Sequence, residues 1–299
     1  MRRLSHTEPE TVGAAIDRCA RAMRRARLHF GHGTDNARDE AAELVFYAAG
    51  LAHEAGSAVY GKTLTAHRRA RIDSLLRRRI ERRVPLAYLT GRAFFAGLEL
   101  YVDERVLVPR SPIAELIERR FEPWAKPRQR VRRILDIGTG SGAIALASAV
   151  AFPRAVVDAA DISPDALRVC RRNVRRLGLA GRVQVLRSDH FGALAGRRYD
   201  IIVTNPPYVG RAEMRTLPRE YRHEPRIGLA SGADGLDSVR AILSAAPRHL
   251  ADDGILVVEV GNTEDALMRA FPRLPFIWPD IAMGGGGVFV LQAAALKGS

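Results

Sequence analysis

Cysteine is nearly missing from this chain of 299 residues: only Cys19 and Cys170 occur, far apart and outside any CxxC pair. A disulfide framework and a cysteine-based zinc site are thereby excluded. Long apolar runs are missing as well. No window approaches the roughly 18 consecutive apolar residues of a membrane span, and the opening "MRRLSHTEPE" turns polar and acidic where a secretory leader would become apolar. A soluble, cytoplasmic protein is expected. Lysine is confined to Lys62, Lys126 and Lys297, so nearly all of the 47 cationic side chains are arginine. Against 33 carboxylates they leave a formal net charge of +14, which suits a polyanionic partner such as nucleic acid or ribonucleoprotein. Codon composition acting on solvated helix faces is the other source of such an excess. Internal repeats and low-complexity segments are also absent.

What is present divides into two patterns, and a hydrophobic content of 47% is enough for one large core or two smaller ones. Over residues 11–23, Val12, Ile16, Cys19 and Met23 recur at helical spacing. Residues 41–52 are apolar nearly all round, and residues 66–84 space Ile72, Leu75, Leu76, Ile80 and Val84 along one side before Pro85. Residues 1–90 therefore predict a small helical domain. Its third helix carries Arg68, Arg69, Arg71, Arg77, Arg78, Arg79, Arg82 and Arg83, a face either for phosphates or for water. Next, "FFAGLELYVDERVLVPR" alternates and is rich in β-branched and aromatic residues, predicting a β-hairpin linker over residues 91–112 with turns near Gly97 and residues 103–105.

From Arg133 onward apolar strands and amphipathic helices alternate: "RILDIG", "AVVDAADI", "RVQVLRSD", "YDIIVTN" and "GILVVEVG", with helices between them. The expectation for residues 113–299 is an α/β domain with a doubly wound, mostly parallel sheet. "GGGGVFVLQA" adds a last strand, antiparallel at or near the edge.

"LDIGTGSG" follows the first of these strands and opens a helix, so Gly138, Gly140 and Gly142 remove side chains where a ligand would approach the backbone. The loop lacks the GK[ST] ending of a phosphate-cradling loop and the spacing of the dinucleotide fingerprint, which disfavours ATP and NAD. Asp161, with Ile162 after it, ends the next strand where a carboxylate can accept hydrogen bonds from ribose hydroxyls. One strand further, "RSDHF" brings Asp189, His190 and Phe191 to the same edge, an acid for an adenine amino group and an aromatic ring to pack on the base. Each Asp alone also reads as a cap or turn residue, and Ser163 in "DISPD" reads as a helix cap. Acids at successive strand ends, Asp136 among them, and no lysine in the loop suit a cationic donor such as the sulfonium of S-adenosylmethionine.

"NPPY", Asn205 to Tyr208, follows the fourth strand at the same end of the sheet. A planar nitrogen is a poor nucleophile because its lone pair is delocalised. It needs acceptors for its hydrogens more than it needs a strong base. The Asn205 side-chain oxygen and the Pro206 carbonyl can accept both hydrogens of an NH₂ group, Pro206 and Pro207 stiffen the backbone that presents them, and Tyr208 can stack on the acceptor plane.

These residues resemble the class I S-adenosylmethionine-dependent methyltransferases that act on planar nitrogens. "RVPLAYLTGRAFFAGLELYVDERVLVPRSP" and "EPRIGLASGADGLDSVRAIL" are similar to the release-factor and ribosomal-protein glutamine N5-methyltransferase family, in which a helical N-terminal domain joins the catalytic domain through a β-hairpin. "VLVPRSPIAELI" and "LPREYRHEPRIGLASG" resemble its branch acting on the large-subunit ribosomal protein L-three; the release-factor branch typically reads "PRPETE". The resemblance implies donor binding through Gly138, Thr139, Gly140, Ser141, Gly142, Asp161, Asp189 and Asn205. It implies glutamine binding through Asn205, Pro206, Pro207 and Tyr208. His190 departs from the aromatic residue often found at its position. His223 and Glu224 are assigned to a substrate-side loop, and contact between the arginine-rich helices and ribosomal RNA is a further expectation. Competing substrates are a release factor and the adenine amino group of a nucleic acid. A non-catalytic assembly factor that keeps the fold without the reaction is the remaining alternative.

Overall fold

The computed structural model describes residues 10–127, 130–282 and 286–297; the opening residues 1–9 and the first glycines of the "GGGG" turn lie outside them. Two compact units divide the chain, Met1–Gly91 together with Pro218–His223, and Arg92–Leu217 together with Glu224–Ser299.

The first unit is helical: α1 (Val12–Arg25), α2 (Ala37–Ala49), α3 (Ala66–Arg82) and the short α4 (Leu86–Thr90). Local chemistry sets the ends. Thr11 caps α1 through Ala14 N–H, and Asn36 caps α2 through Arg38 and Asp39 N–H. The Asn36 cap starts α2 four residues before the expected position, and Gly50 in the left-handed region ends it three residues early. Ile16, Met23, Leu44 and Ile72 are fully buried between the helices. The arginine face of α3 is not uniform, because Arg79 points inward with no exposure while Arg68, Arg71, Arg77, Arg78 and Arg82 stay exposed. The Arg79 guanidinium donates to Glu40 (2.6 Å), to the His29 carbonyl (2.8 Å) and to Glu220 (3.4 Å). Arg83 donates to the Ala26 carbonyl and to the same Glu220.

The second unit opens with an antiparallel hairpin, β1 (Ala93–Phe95) and β2 (Leu98–Leu100), turned at Ala96 and Gly97. Beyond Leu100 the expected alternation continues without a strand. Val102, Val106 and Val108 are buried from an irregular segment that Asp103 turns by accepting the backbone N–H and guanidinium of Arg105. After α5 (Ile113–Glu118) come β3 (Arg133–Ile137), α6 (Ala143–Ala151), β4 (Val156–Asp161), α7 (Pro164–Arg176), β5 (Val183–Arg187) and β6 (Tyr199–Thr204). They are followed by α8 (Asp237–His249), β7 (Leu250–Glu259), α9 (Glu264–Ala270), β8 (Val288–Gln292) and α10 (Ala293–Lys297).

The sheet order is β5-β4-β3-β6-β7-β8, parallel through β7, with β8 antiparallel. Ile277 bridges the far side of β8, so β8 lies near the edge and one short contact inside it. Strands with both faces covered are apolar on both faces. Ile134, Val157, Ile201 and Val257 point to one core, Leu135, Ile202, Leu256 and Phe289 to the other. The order in which strands are added reverses at β3, outward through β4 to β5 on one side and from β6 to β7 on the other, which opens a crevice outside the carboxyl ends of β3 and β6.

Candidate active site

The crevice at that switch point is lined by the glycine loop, by Asp161, Ile162, Asp189 and His190, by Asn205 to Tyr208, and by two loop walls, residues 105–111 and 225–230. The glycine loop reaches it by backbone strain that only glycine carries cheaply. Gly138, Gly140 and Gly142 all have positive φ. A Cβ on Gly142 would lie 2.8 Å from the Cys170 sulfur, so that glycine serves close packing of α6 on α7, whereas nothing stands within 4 Å of one on Gly138, which faces the opening. Both cysteines are core thiols, and burial pushes Cys170 up to about 12.

Asp161 ends β4 with its carboxylate already oriented: one oxygen accepts Gly140 N–H (2.9 Å), the other Ser163 N–H (2.8 Å). Burial raises its pKa, and those backbone bonds oppose the rise. Each oxygen keeps lone pairs for a hydroxyl in the crevice. Ser163 caps α7, as its position after the strand predicts. Asp136 sits beneath the loop and does not line the crevice. Its Oδ2 accepts Thr139 O–H (2.6 Å) and Ala145 N–H (3.1 Å), and its Oδ1 is buried without a hydrogen-bond partner among the described residues. Burial lifts this carboxyl to about 7. Asp189 is exposed at the rim and bonds the ring of His190 (2.7 Å), which holds a positive φ. Phe191 turns the other way, into the core, stacked on His249 at 4.5 Å. Of the two neighbours in "DHF", the histidine is the one that borders the crevice.

Asn205 is half-buried at the end of β6, and its side-chain amide makes no hydrogen bond with any described residue. Tyr208 is fixed: its hydroxyl donates to Glu259 at the end of β7 (3.1 Å). Glu259 also accepts the Ser111 hydroxyl (2.5 Å). Burial raises the Glu259 pKa, partly offset by Ser111, Tyr208 and Arg110. Glu224, fully buried, accepts Val108 N–H (3.0 Å) and both guanidinium ends of Arg110 (2.5 and 2.7 Å), which clamps the two loop walls together. Glu224 is thus structural in the wall it was expected to join, while His223 belongs to the helical unit, its ring nitrogen 2.9 Å from the Arg82 carbonyl. Sequence reasoning missed Arg110, Ser111 and Glu259. The signal for Glu259 was there: it is one more acid at a strand end in the series of Asp136, Asp161 and Asp189.

A glycine loop, an acid at the next strand end and an Asn-Pro-Pro-Tyr corner, all around the switch point of a doubly wound sheet, define a class I methyltransferase fold. Residues 124–219 match the model of the methyltransferase small domain, and residues 21–91 that of the PrmC N-terminal domain. A Bordetella pertussis protein is 44% identical over 99% of this chain and 100% of its own length. One from Xanthomonas campestris pv. campestris is 49% identical over 91% of this chain and 87% of its own, and one from Xylella fastidiosa 47% over 97% and 92%. All three are named ribosomal protein uL3 glutamine methyltransferase, and the chain belongs to that family.

Proposed function

We propose that this enzyme methylates the side-chain amide nitrogen, N5, of a glutamine in ribosomal protein uL3, the large-subunit protein L-three, with S-adenosylmethionine as donor. The observation that carries the proposal is the Asn205 corner: an amide unengaged by any described residue opens into the same crevice as the glycine loop, beside a tethered aromatic ring. When bound, S-adenosylmethionine supplies an electrophilic methyl group on a cationic sulfur. The residues present fit it. Gly138 leaves open space at the loop, Asp161 offers oriented lone pairs for ribose hydroxyls, and Ile162, 42% exposed, offers an apolar face beside them for a base. Asp189 and His190 would border the adenine, and Gly140, Ser141 and Thr139 the rest of the donor.

For the acceptor, the Asn205 side-chain oxygen and the Pro206 carbonyl take the two amide hydrogens, turning the nitrogen lone pair out of conjugation and toward the donor site. Tyr208 covers the amide plane. No residue of this set has to act as a strong base, because the amide proton becomes acidic once the nitrogen carries a fourth substituent. Residues 1–91 are assigned to recognition of the protein substrate, and the exposed arginines of α3 to ribosomal RNA near it. No helix among the described residues is long and apolar enough to cross a membrane, in keeping with action in the cytoplasm.

The test is methyl transfer from labelled S-adenosylmethionine to ribosomal material of cells lacking this enzyme, separated into protein and RNA and mapped by mass spectrometry. Label on a glutamine of uL3 is expected. Label on a release-factor glutamine or only in RNA would replace the substrate.

A further inference from the structure

Tyr208 is held at three places, supplied by two segments that lie well beyond it in the chain. Its backbone carbonyl packs against Gly235, where a Cβ would come within 2.2 Å of the oxygen. Its ring lies over Gly261, where a Cβ would come within 2.6 Å of a ring carbon. Its hydroxyl is bound by Glu259, two residues before that glycine. Gly261 has φ +50°, so the turn after β7 takes the left-handed form and leaves a flat floor for the ring. The third hold is the unusual one, because Glu259 is 5% exposed and a buried carboxylate is costly unless its bonds are needed. Its second oxygen is occupied by Ser111, whose Oγ in turn accepts the Ile113 N–H at the start of α5 (3.2 Å).

We infer that Glu259 is a positioning residue for the acceptor site, a buried acceptor that fixes the placement of the Tyr208 ring by tethering its hydroxyl to the end of β7 and, through Ser111, to the wall at residues 105–111. This inference rests on the proposed role of Tyr208 against a planar amide. A carboxylate suits the task because it only accepts. Both hydroxyls are obliged to donate to it, so the phenol has one orientation instead of the two that a hydroxyl partner would permit. The tether at the far end of the ring stops it swinging about the Cα–Cβ bond, the glycine floor packed against one face sets its plane, and the amide meets a surface already in place.

The measurement compares E259A, E259Q, Y208F and the Y208F/E259A double variant in methyl transfer to uL3, with donor affinity followed by calorimetry. E259A is expected to lower kcat about tenfold or more with donor affinity within twofold. E259Q should recover most of that loss, since its carbonyl accepts from Tyr208 and its amide donates to Ser111. In the Y208F background, E259A should add less than a further twofold, because the tether is already gone. Full turnover in E259A, no rescue by E259Q, or independent losses in the double variant would each overturn the inference. A second reading needs no turnover: in spectra of ring-labelled tyrosine, assigned by the Y208F difference, the Tyr208 resonances should move in E259A and stay in E259Q. Unmoved resonances in E259A overturn the tether whatever the substrate is. Absence of transfer by the unsubstituted enzyme, with the resonances behaving as stated, would instead count against the substrate alone.

Discussion

An amide lends its lone pair only while its hydrogens are held, so turnover should depend steeply on the acceptor that Asn205 supplies. Asn205→Ala is expected to reduce kcat by about 100- to 1,000-fold, the scale of losing one preorganised polar group at a reacting centre. Donor affinity measured by calorimetry should stay nearly unchanged. Asp136 makes a different prediction, about stability. Burial lifts its folded pKa from the ordinary 3.8 to about 7, so between those values the unfolded chain releases a proton that the folded protein keeps. Stability contributed by this group is full below about pH 4 and is lost as the pH rises toward about 7. Asp136→Asn should flatten that decline in urea titrations run at successive pH values; an unchanged slope would assign the decline to other groups. Asn205, Pro206, Pro207 and Tyr208 were legible in the sequence because they are contiguous and follow a strand. Glu259 was legible only as one more acid at a strand end; its meeting with Ser111 and Tyr208, and the part played by Arg110, were not, since these residues come from separate segments and meet only on folding. An aromatic and an acid beside a glycine loop are legible as residue types. Which way Phe191 and Asp136 face is decided by packing, and both face away from the crevice.

Elements were read well where their period was long and poorly where they were short. The central parallel strands β3, β4 and β6 announce themselves as largely apolar runs of five or six residues, and α6 and α7 follow from caps and spacing. By contrast, α5, α9 and α10 have five to seven residues, too few turns for a face to repeat. Alternation misled at residues 101–108, where an irregular segment buries every second or fourth side chain without pairing. Arginine density misled at α3, where spacing alone did not single out the inward cation. Removing that cation takes the guanidinium from Glu40 and leaves Glu220 with Arg83 as its remaining cation, and both carboxylates are buried, their side chains 2% and 3% exposed. Arg79→Ala should therefore destabilise the helical unit by about 3–5 kcal/mol, the cost of breaking a buried ion pair from one side. Urea unfolding followed by circular dichroism measures it, and a loss under about 1 kcal/mol would show that water takes over the guanidinium's role.

At the scale of the whole molecule the +14 charge is the property most open to measurement. On the proposed reading, exposed Arg77 and Arg78 meet phosphates, so replacing both by Glu should weaken binding to ribosomal particles and leave methylation of free uL3 intact. The slope of log affinity against log salt should become shallower by roughly 1.5 to 2, the release of about two counterions. Equal slopes in both proteins would leave the arginines as solvated surface.

The helical unit is also discontinuous, since Pro218–His223 belongs to it while lying far along the chain. Glu220 follows Arg79 by 141 residues. On a ribosome adding about 5–20 residues per second, the guanidinium waits roughly 7 to 28 s for its second carboxylate. During that interval Glu40 is its one anionic partner, and the nascent helices hold an incomplete charge cluster that cannot close until β6 has been synthesised. Translation speed, and not helix formation, thus sets the earliest moment at which the first part of the chain to be made can finish folding.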